Sequence, residues 1–463
     1  MKRGQDMAGF SLKGIALNRS HLCNSVRRVL LFAELTVLTL MMVYTWQRFY
    51  NASMPVPIYR RGYYALAVFY WVFLGICLKA LKGRAIGEQR LLDTVVSQLI
   101  ATVLCNTAIY FPLALLSYRL FNPGWLLLMT VVQAAVIVWW CFLCNRLIFY
   151  IARPMEMLLI APEERGAALE LKLEHFRQRY HIYAVLPPGA GRETIAAALG
   201  HCHAVLLDSD DRELRDWVSM ECFRRNLFLF LVPTIEDVII NSARRLHLVD
   251  TPMLCTDSHR ISAFDLKLKR VADVVISALG LLLSLPVTLL CALAVKLCDG
   301  GPVFFAQERL TLGGKTFRLV KFRTMIPDAE KHGQRLASER DERITPVGRV
   351  LRKTRLDELP QLWNVLRGDM SLVGPRPEVP ALAAEYEKTL PEFGYRLKVR
   401  AGITGVAQVY GDYATTPRDK LLMDIMYIED YTPSLDLKLL LLTVRALFLT
   451  EKTRGVAETE EKA

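Results

Sequence analysis

The sequence has 463 residues, of which 52% are hydrophobic, and it carries a formal net charge of +12. This length allows more than one domain and supplies ample apolar material for cores or membrane segments. The cations are dispersed, with no basic stripe interleaved with aromatic residues, so we expect membrane lipid and phosphorylated substrates as partners and no nucleic acid.

Four apolar runs occupy the first third of the chain, at about 29–46, 63–81, 95–116 and 125–151. Each approaches or exceeds the ~18 residues that cross a bilayer core, so the sequence predicts four transmembrane helices within residues 1–152. Four runs in series are typical of permanent anchors, whereas a signal peptide has one short apolar stretch. Lysine and arginine are concentrated in the N-terminal tail and after the second run, which predicts that both ends of this block face the cytoplasm.

Residues 153–260 alternate short apolar strands with amphipathic helices. The segments MEMLLIA, HIYAVL, HAVLLD and LFLFLVP read as strands of a doubly wound parallel sheet, so we predict a Rossmann-like α/β domain. The first strand is followed by PEERGAA, which lacks the G-x-G-x-x-G pattern. Dinucleotide binding is therefore not expected, because the glycines that let a backbone approach a pyrophosphate are missing.

An acidic stretch, LLDSDD, ends the third of these strands. Asp208 and Asp210 form an Asp-x-Asp pair, which can hold a metal ion on a nucleotide sugar in ordinary glycosyltransferases. The same stretch is also typical of a helix N-cap with acidic first-turn residues, and we favour the cap.

The apolar run VVISALGLLLSLPVTLLCALAV at 274–295 is long enough to span a bilayer and has basic residues on both sides. Neither flank is therefore readily exported. Pro286 removes a backbone hydrogen bond near the middle, and Ser284 can satisfy a freed carbonyl, so these two residues form a candidate hinge. Within 261–300 we predict a re-entrant, broken helix that enters and leaves on the cytoplasmic face, with a straight fifth span as the alternative.

From residue 301 the chain is polar enough to form a domain at the membrane surface, which we place at 301–455, before a disordered tail at 456–463. The segments GPVFFAQERL and KTFRLVKFRTM flank TLGG, which predicts a β-hairpin turning at Gly313 and Gly314. Lys321 and Arg323 are two residues apart and so share one face of the second strand. Such paired cations suit a phosphate, although strand cations that only aid solubility are equally compatible.

The stretch RLDELPQLWNVLRGDMSLVGPRPE, at 355–378, places two adjacent carboxylates, Asp357 and Glu358, before a short predicted helix. Its leucines and Trp363 recur at i, i+3, i+4 and i+7, which predicts an apolar face packed inward. Proline is tolerated in the first helical turn, so Pro360 puts the carboxylates at the helix N-terminus. The helix dipole there favours the charged form, and we therefore expect a low pKa for Asp357.

An ionised carboxylate of this kind can attack phosphorus or ligate Mg²⁺. The GPRP segment holds Arg376 on a loop stiffened by prolines, where its planar fork could grip a phosphate in bidentate fashion. Two or three cations and a metal ion would offset the repulsion between an anionic nucleophile and a diphosphate.

Several ordered motifs now resemble a known family. KRVAD at 269–273, GPVFFAQERL, KFRTM, TPVGRVLRKTRLDELPQLWNVLRGDMSLVGPRPE and AGITGVAQVYG are similar to the bacterial sugar transferase family. These are the monotopic phosphoglycosyl transferases that initiate exopolysaccharide, capsule or O-antigen synthesis. The resemblance covers about 266–450, and the preceding spans and sheet resemble the long form of the family. Two departures are Leu285, which separates the hinge serine from its proline, and Ala401, where the family often has proline.

The resemblance implies a specific reaction. A UDP-sugar, with UDP-glucose or UDP-galactose foremost, would give its sugar 1-phosphate to undecaprenyl or another polyprenyl phosphate and release UMP. Asp357 matches the family's nucleophile, which forms an aspartyl phosphosugar intermediate; Glu358 would assist, and both would bind Mg²⁺. Arg376 would hold the phosphate, with Lys321 and Arg323 as weaker assignments for the diphosphate or headgroup.

The sequence thus predicts an α/β membrane protein with four N-terminal transmembrane helices, a Rossmann-like domain, a re-entrant helix and a small, mostly α-helical catalytic domain. We expect it in the bacterial inner membrane with the catalytic domain on the cytoplasmic face, and a homodimer stays open. Two other classes also stay open: an ordinary metal-dependent glycosyltransferase using Asp208 and Asp210, and a non-catalytic membrane scaffold that binds nucleotide or lipid.

Overall fold

The protein is described by a computed structural model that covers residues 2–54, 57, 59–88, 91–116, 118, 120–151, 154–174, 176–177, 179–256, 261–326, 341, 343–411 and 415–447. The chain divides into two compact units, Met1–Pro233 and Thr234–Ala463. The predicted limits of the individual domains stay predictions, and the predicted tail at 456–463 lies outside the described residues.

The first unit begins with four long helices: α1 (Lys2–Thr45), α2 (Arg60–Ala80), α3 (Leu91–Leu116) and α4 (Gly124–Ile151). A π-helical turn, Trp46–Tyr50, follows α1. Large apolar side chains on these helices face outward, while polar groups meet inside: the Tyr70 hydroxyl donates to Asn106 Oδ1 at 2.7 Å, and Asn106 Nδ2 donates to Gln133 Oε1 at 2.8 Å. An apolar exterior around a hydrogen-bonded polar interior is typical of a membrane helix bundle.

The rest of the first unit is an α/β sheet. Its elements are β1 (Met155–Ile160), α5 (Glu163–Glu174), β2 (Tyr180–Leu186), α6 (Arg192–Ala198), β3 (Ala204–Leu207), α7 (Arg212–Arg225) and β4 (Phe228–Leu231). The four strands are parallel in the order β2-β1-β3-β4. The predicted parallel sheet is confirmed, and the reversal of strand order at β1 is the mark of doubly wound topology.

The second unit begins with α8 (Ile235–Asn241), an antiparallel hairpin of β5 (Arg244–Leu248) and β6 (Thr251–Cys255), and the long helix α9 (Ala263–Asp299). The remaining elements are β7 (Phe304–Leu310), β8 (Thr316–Phe322), α10 (Pro346–Thr354), α11 (Gln361–Arg367), β9 (Ser371–Val373), α12 (Pro380–Thr389), β10 (Gly402–Thr404), α13 (Val406–Tyr410), α14 (Pro417–Glu429) and α15 (Pro433–Leu447). Among the described residues, five helices are long and apolar enough to cross a membrane: α1 to α4 and α9. The fold is therefore mixed α/β and mostly helical, and its long apolar helices are compatible with a membrane protein.

Helix α9 runs without interruption across Pro286, so the predicted break in this helix is wrong, whereas its re-entrant course stays a prediction. Pro286 has no N–H, so the carbonyl of Leu282, four residues earlier, has no backbone donor. Ser284 Oγ lies instead 3.5 Å from the carbonyl oxygen of Leu281. The prediction that Ser284 satisfies the freed carbonyl is therefore wrong, because the hydroxyl reaches back three residues instead of two. The middle of the helix exposes large apolar side chains, such as Leu283 at 79% and Leu290 at 67%.

Strands β7 and β8 form the predicted hairpin, with Phe304 opposite Phe322 and Leu310 opposite Thr316. The turn between them contains a short 3₁₀ segment, Leu312–Gly314, in which Gly313 and Gly314 have φ values of 68° and 75°. These left-handed conformations suit glycine because it has no Cβ. The register places Phe305, Arg309 and Lys321 on one face of the hairpin.

Strands β9 and β10 are parallel and pass unusually close to one another. A Cβ added to Gly402 would lie 2.1 Å from the backbone nitrogen of Gly374, a distance at which no side chain fits. This close approach fixes the loop that begins at Gly374, because the Gly374 N–H donates to the carbonyl of Thr404 at 2.8 Å.

Candidate active site

The carboxylate pair lies in a short 3₁₀ turn, Leu356–Glu358, between α10 and α11. Helix α10 ends at Thr354, Arg355 caps it in the left-handed conformation with a φ of 56°, and α11 begins only after Pro360. The prediction that Asp357 and Glu358 occupy the N-terminus of the following helix is therefore wrong. The left-handed residue gives the carboxylates a turn of their own, in contact with β8 and α10.

Helix α11 forms as predicted, but its predicted apolar face is only partly buried: Leu359, Leu362 and Leu366 are half-buried, and Trp363 is exposed. Trp363 is 59% exposed, whereas Gln361, Asn364 and Val365 are buried. Asn364 explains this orientation: its Oδ1 accepts from the N–H of Val320 at 3.0 Å, and its Nδ2 donates to the carbonyl of Arg318 at 2.8 Å. Because an unpaired backbone group in β8 would be costly to bury, the amide that pairs with this strand decides which side of α11 faces inward.

The environment of Asp357 raises its pKa to about 6, so the predicted low value is wrong. Burial is the largest cause and the adjacent charge of Glu358 is the second, whereas Lys321 and Arg352 act in the opposite direction. Burial disfavours the charged carboxylate more strongly than the two cations favour it. The carboxylate form nevertheless predominates at pH 7.

Lys321 belongs to the same cluster of charges. Its Nζ lies 5.1 Å from the centre of the Phe305 ring, and burial lowers its pKa, followed by repulsion from Arg352; Asp357 partly opposes this. Arg352 on α10 donates from Nε to Thr324 Oγ1 at 2.8 Å. The strand and the helix therefore direct two cations toward one carboxylate.

Arg376 approaches the pair from the opposite segment of the predicted motif. Its side chain is 52% exposed, and Nη1 lies 3.5 Å from Glu358 Oε1. The structure thus brings together the carboxylates and the loop arginine that the sequence singled out, although they are separated along the chain by α11 and β9. The half-exposed guanidinium remains accessible to an anionic ligand.

Arg323 points to a different partner. Its buried guanidinium forms a two-point ion pair with Asp299 and donates from Nε to the carbonyl of Pro302 at 2.6 Å. This arrangement ties the C-terminal end of α9 to the strand region and occupies the fork of the guanidinium. A role for Arg323 on phosphate stays a prediction, and this pairing argues against it.

Sequence reasoning missed Arg352 and Arg309. Arg352 precedes Asp357 by five residues, with the left-handed residue Arg355 between them, and its charge acts on the Asp357 carboxylate. Arg309 shares a hairpin face with Lys321, a placement that the register of the predicted hairpin could have indicated. Its Nη1 donates to the carbonyl of Pro377 at 3.0 Å, within the loop that carries Arg376.

The donor set at the carboxylate pair fits Mg²⁺, which usually binds one or two carboxylates together with substrate phosphates and water. The repulsion of Asp357 by Glu358 is a charge conflict that a divalent cation would relieve. In the part of the chain that the structure describes, no group of three or more His, Cys, Asp or Glu side chains could hold a metal by itself. Oxygen atoms of the substrate would therefore have to complete the coordination.

The second predicted acidic site is arranged differently. Asp208 and Asp210 both pair with Arg165, at 3.0 and 2.8 Å, so one guanidinium stands where a metal ion would have to bind. Asp211 caps α7 by accepting from the N–H of Glu213 at 3.0 Å, in agreement with the favoured interpretation of this stretch.

The site thus combines carboxylates and cations on a unit that carries a long apolar helix, an arrangement compatible with a membrane-associated protein. A family model described as bacterial sugar transferase matches residues 264–450. A UDP-glucose:undecaprenyl-phosphate glucose-1-phosphate transferase of Caulobacter vibrioides is 46% identical over 41% of this chain and 72% of its own length. The chain therefore belongs to the bacterial sugar transferase family.

Longer relatives match over a smaller share of their length. A UDP-N-acetylgalactosamine-undecaprenyl-phosphate N-acetylgalactosaminephosphotransferase of Aeromonas hydrophila is 35% identical over 53% of this chain and 58% of its own length. A UDP-glucose:undecaprenyl-phosphate glucose-1-phosphate transferase of Escherichia coli is 37% identical over 47% of this chain and 48% of its own length. The matches thus span about half the length of these two proteins.

Proposed function

We propose that the protein transfers sugar 1-phosphate from a UDP-sugar, glucose or galactose foremost, to undecaprenyl phosphate and releases UMP. This would be the first membrane step of exopolysaccharide, capsule or O-antigen synthesis. The observation that carries the proposal is the placement of Asp357 beside Glu358, Lys321 and Arg352. The names of the relatives support the same reaction, since they combine a UDP-sugar or sugar phosphate with undecaprenyl phosphate.

The reaction has two balanced steps. A carboxylate oxygen of Asp357 attacks the phosphorus next to the sugar, a new P–O bond forms, and the bond to the UMP oxygen breaks, so that UMP leaves with the bonding electrons. An oxygen of undecaprenyl phosphate then attacks the same phosphorus and displaces the Asp357 carboxylate. Covalent catalysis of this type lets a soluble and a membrane-bound substrate react in turn at one group, which predicts ping-pong kinetics.

The surrounding side chains have distinct parts in these steps. Lys321 and Arg352 favour the ionised form of Asp357 and stabilise negative charge on the phosphoryl oxygens. Arg376, now paired with Glu358, would turn its fork to the diphosphate. Mg²⁺ held by Asp357 and Glu358 would supply positive charge that offsets the charge of the diphosphate.

We propose that α1 to α4 span the bacterial inner membrane and that α9 is re-entrant, bending at Pro286 and returning to the cytoplasmic face. Both ends of α9 bind the same folded unit: Lys269 Nζ donates to the carbonyl of Val373 at 2.9 Å, and Asp299 pairs with Arg323. A straight helix between these ends would extend about 45 Å, more than a hydrocarbon core of about 30 Å. One unit that holds both ends favours a helix that dips into the bilayer and returns.

The test is a panel of UDP-sugars incubated with purified protein and undecaprenyl phosphate, with the nucleotide product identified. UMP is the expected product, whereas UDP as the main product would indicate an ordinary glycosyltransferase, and no product would indicate a scaffold. Asp357→Asn should abolish turnover, while Asp208→Asn and Asp210→Asn should leave it largely intact. Cysteine labelling near Lys321 from the cytoplasmic side tests the topology, and labelling from outside would refute the re-entrant proposal.

A further inference from the structure

The loop that carries Arg376 is held by its backbone carbonyls. The carbonyls of residues 375–378 each accept a hydrogen bond from a different donor. In chain order, the donors are the N–H of Gly402 at 2.8 Å, Arg396 Nη2 at 2.8 Å, Arg309 Nη1 at 3.0 Å and the N–H of Leu310 at 2.9 Å. These donors come from β10, from the 3₁₀ segment Pro391–Lys398 and from β7. Four consecutive contacts fix the backbone under the guanidinium that meets Glu358.

Arg396 is the donor at the carbonyl of Arg376 itself, and its side chain is only 4% exposed. It forms an ion pair with Asp424 on α14 at 2.8 Å and lies 3.6 Å from Glu378 Oε1. The guanidinium carbon also lies 4.8 Å from the centre of the Phe393 ring. One buried cation thus joins α14, the loop and an aromatic side chain of the core.

We propose that Arg396, oriented by Asp424, is a positioning residue that sets the place of Arg376 at the phosphate site. This inference rests on the proposed function of Arg376 as a phosphate ligand. Arg396 does not contact the carboxylate pair; it acts on the backbone of the residue that does. A guanidinium suits this task because its planar fork can serve a carbonyl and two carboxylates at once, whereas the point charge of lysine cannot.

The test is a double-mutant cycle with Arg396→Lys and Arg376→Ala in the full chain. If Arg396 acts through Arg376, Arg396→Lys should lower kcat/KM for the UDP-sugar about tenfold in the wild-type background and by less than about twofold beside Arg376→Ala. Arg367→Lys is the matched control, because the Arg367 side chain is 72% exposed and its Nε lies 3.8 Å from Asp369 Oδ2. It should leave kcat/KM unchanged.

A merely structural role predicts another pattern. Loss of general stability would lower activity by the same factor in both backgrounds, and that additivity would overturn the proposal. If Arg396→Lys does not fold, Asp424→Asn replaces it in the cycle. This variant keeps the hydrogen bond from Arg396 to the loop and removes the negative charge that orients Arg396. Its effect should be smaller and should show the same non-additivity with Arg376→Ala.

Thermal stabilisation by UDP gives a second readout that does not depend on turnover. In this cycle Arg396→Lys should reduce the UDP-induced rise in melting temperature only when Arg376 is present. If the wild-type protein releases no UMP from any UDP-sugar, the proposed function fails, while the UDP cycle still decides the positioning role. If the wild-type protein is active but the effects of Arg396→Lys and Arg376→Ala add, the positioning role is overturned and the proposed function stands.

Discussion

Replacing Asp357 by asparagine should make the protein inactive and more stable. Asp357 is half-buried beside a second carboxylate, and these surroundings raise its pKa from the ordinary value of 3.8 to about 6. The folded state therefore favours the neutral form more than the unfolded chain does, although the ionised form still predominates at pH 7. Asparagine keeps the size of the side chain and removes the charge, so the cost of holding an anion there disappears together with the nucleophile.

The magnitude follows from linkage. A pKa raised by about 2 units corresponds to about 3 kcal/mol at most, at 1.36 kcal/mol per unit. Because the folded value is the higher one, the stabilising contribution of the carboxyl is fully present below about pH 4 and is lost as the pH rises through about 6. The asparagine variant should thus gain most at pH 8 and little at pH 4.

The assay is the melting temperature of the full chain in detergent at pH 8 and pH 4, with UMP release measured on the same samples. At about 2–4 °C per kcal/mol for a unit of this size, the variant should melt several degrees above wild type at pH 8. Asp216→Asn, an exposed carboxylate on α7, is the control and should change neither quantity. An unchanged or lower melting temperature at pH 8 would refute the account of the raised pKa, and retained UMP release would refute the nucleophile.

Three further changes test the surroundings of the site. Lys321→Met removes a cation that lowers the pKa of Asp357. The acid limb of the pH profile of kcat/KM, expected near pH 6, should therefore move to higher pH. A shift to lower pH would contradict the interaction of Lys321 with Asp357. Gly402→Ala places a methyl group 2.1 Å from the nitrogen of Gly374, so both melting temperature and UMP release should fall. No change in either quantity would mean that β9 and β10 can move apart at little cost. Arg323→Lys should lower the melting temperature with little change in KM, whereas a large rise in KM alone would place Arg323 on the substrate.

Local patterns in the sequence determined most of the secondary structure of this protein. Apolar runs and alternation at a period of two or 3.6 residues depend on neighbouring residues only, so the long helices, the parallel sheet and the β7–β8 hairpin were predictable. The candidate residues Asp357, Glu358 and Arg376 were also visible, because fixed charges in an otherwise apolar stretch are unusual.

The electrostatics of the site were decided by the tertiary structure alone. Burial and the charge of Glu358 raise the pKa of Asp357, where the sequence predicted a lowered one. The amide of Asn364 turns Trp363 outward against the apolar pattern of α11. Arg352 and Arg396 act on residues that only the fold brings near them. Charge interactions and desolvation depend on distance in space and on exclusion of water, and neither quantity can be read from spacing along the chain.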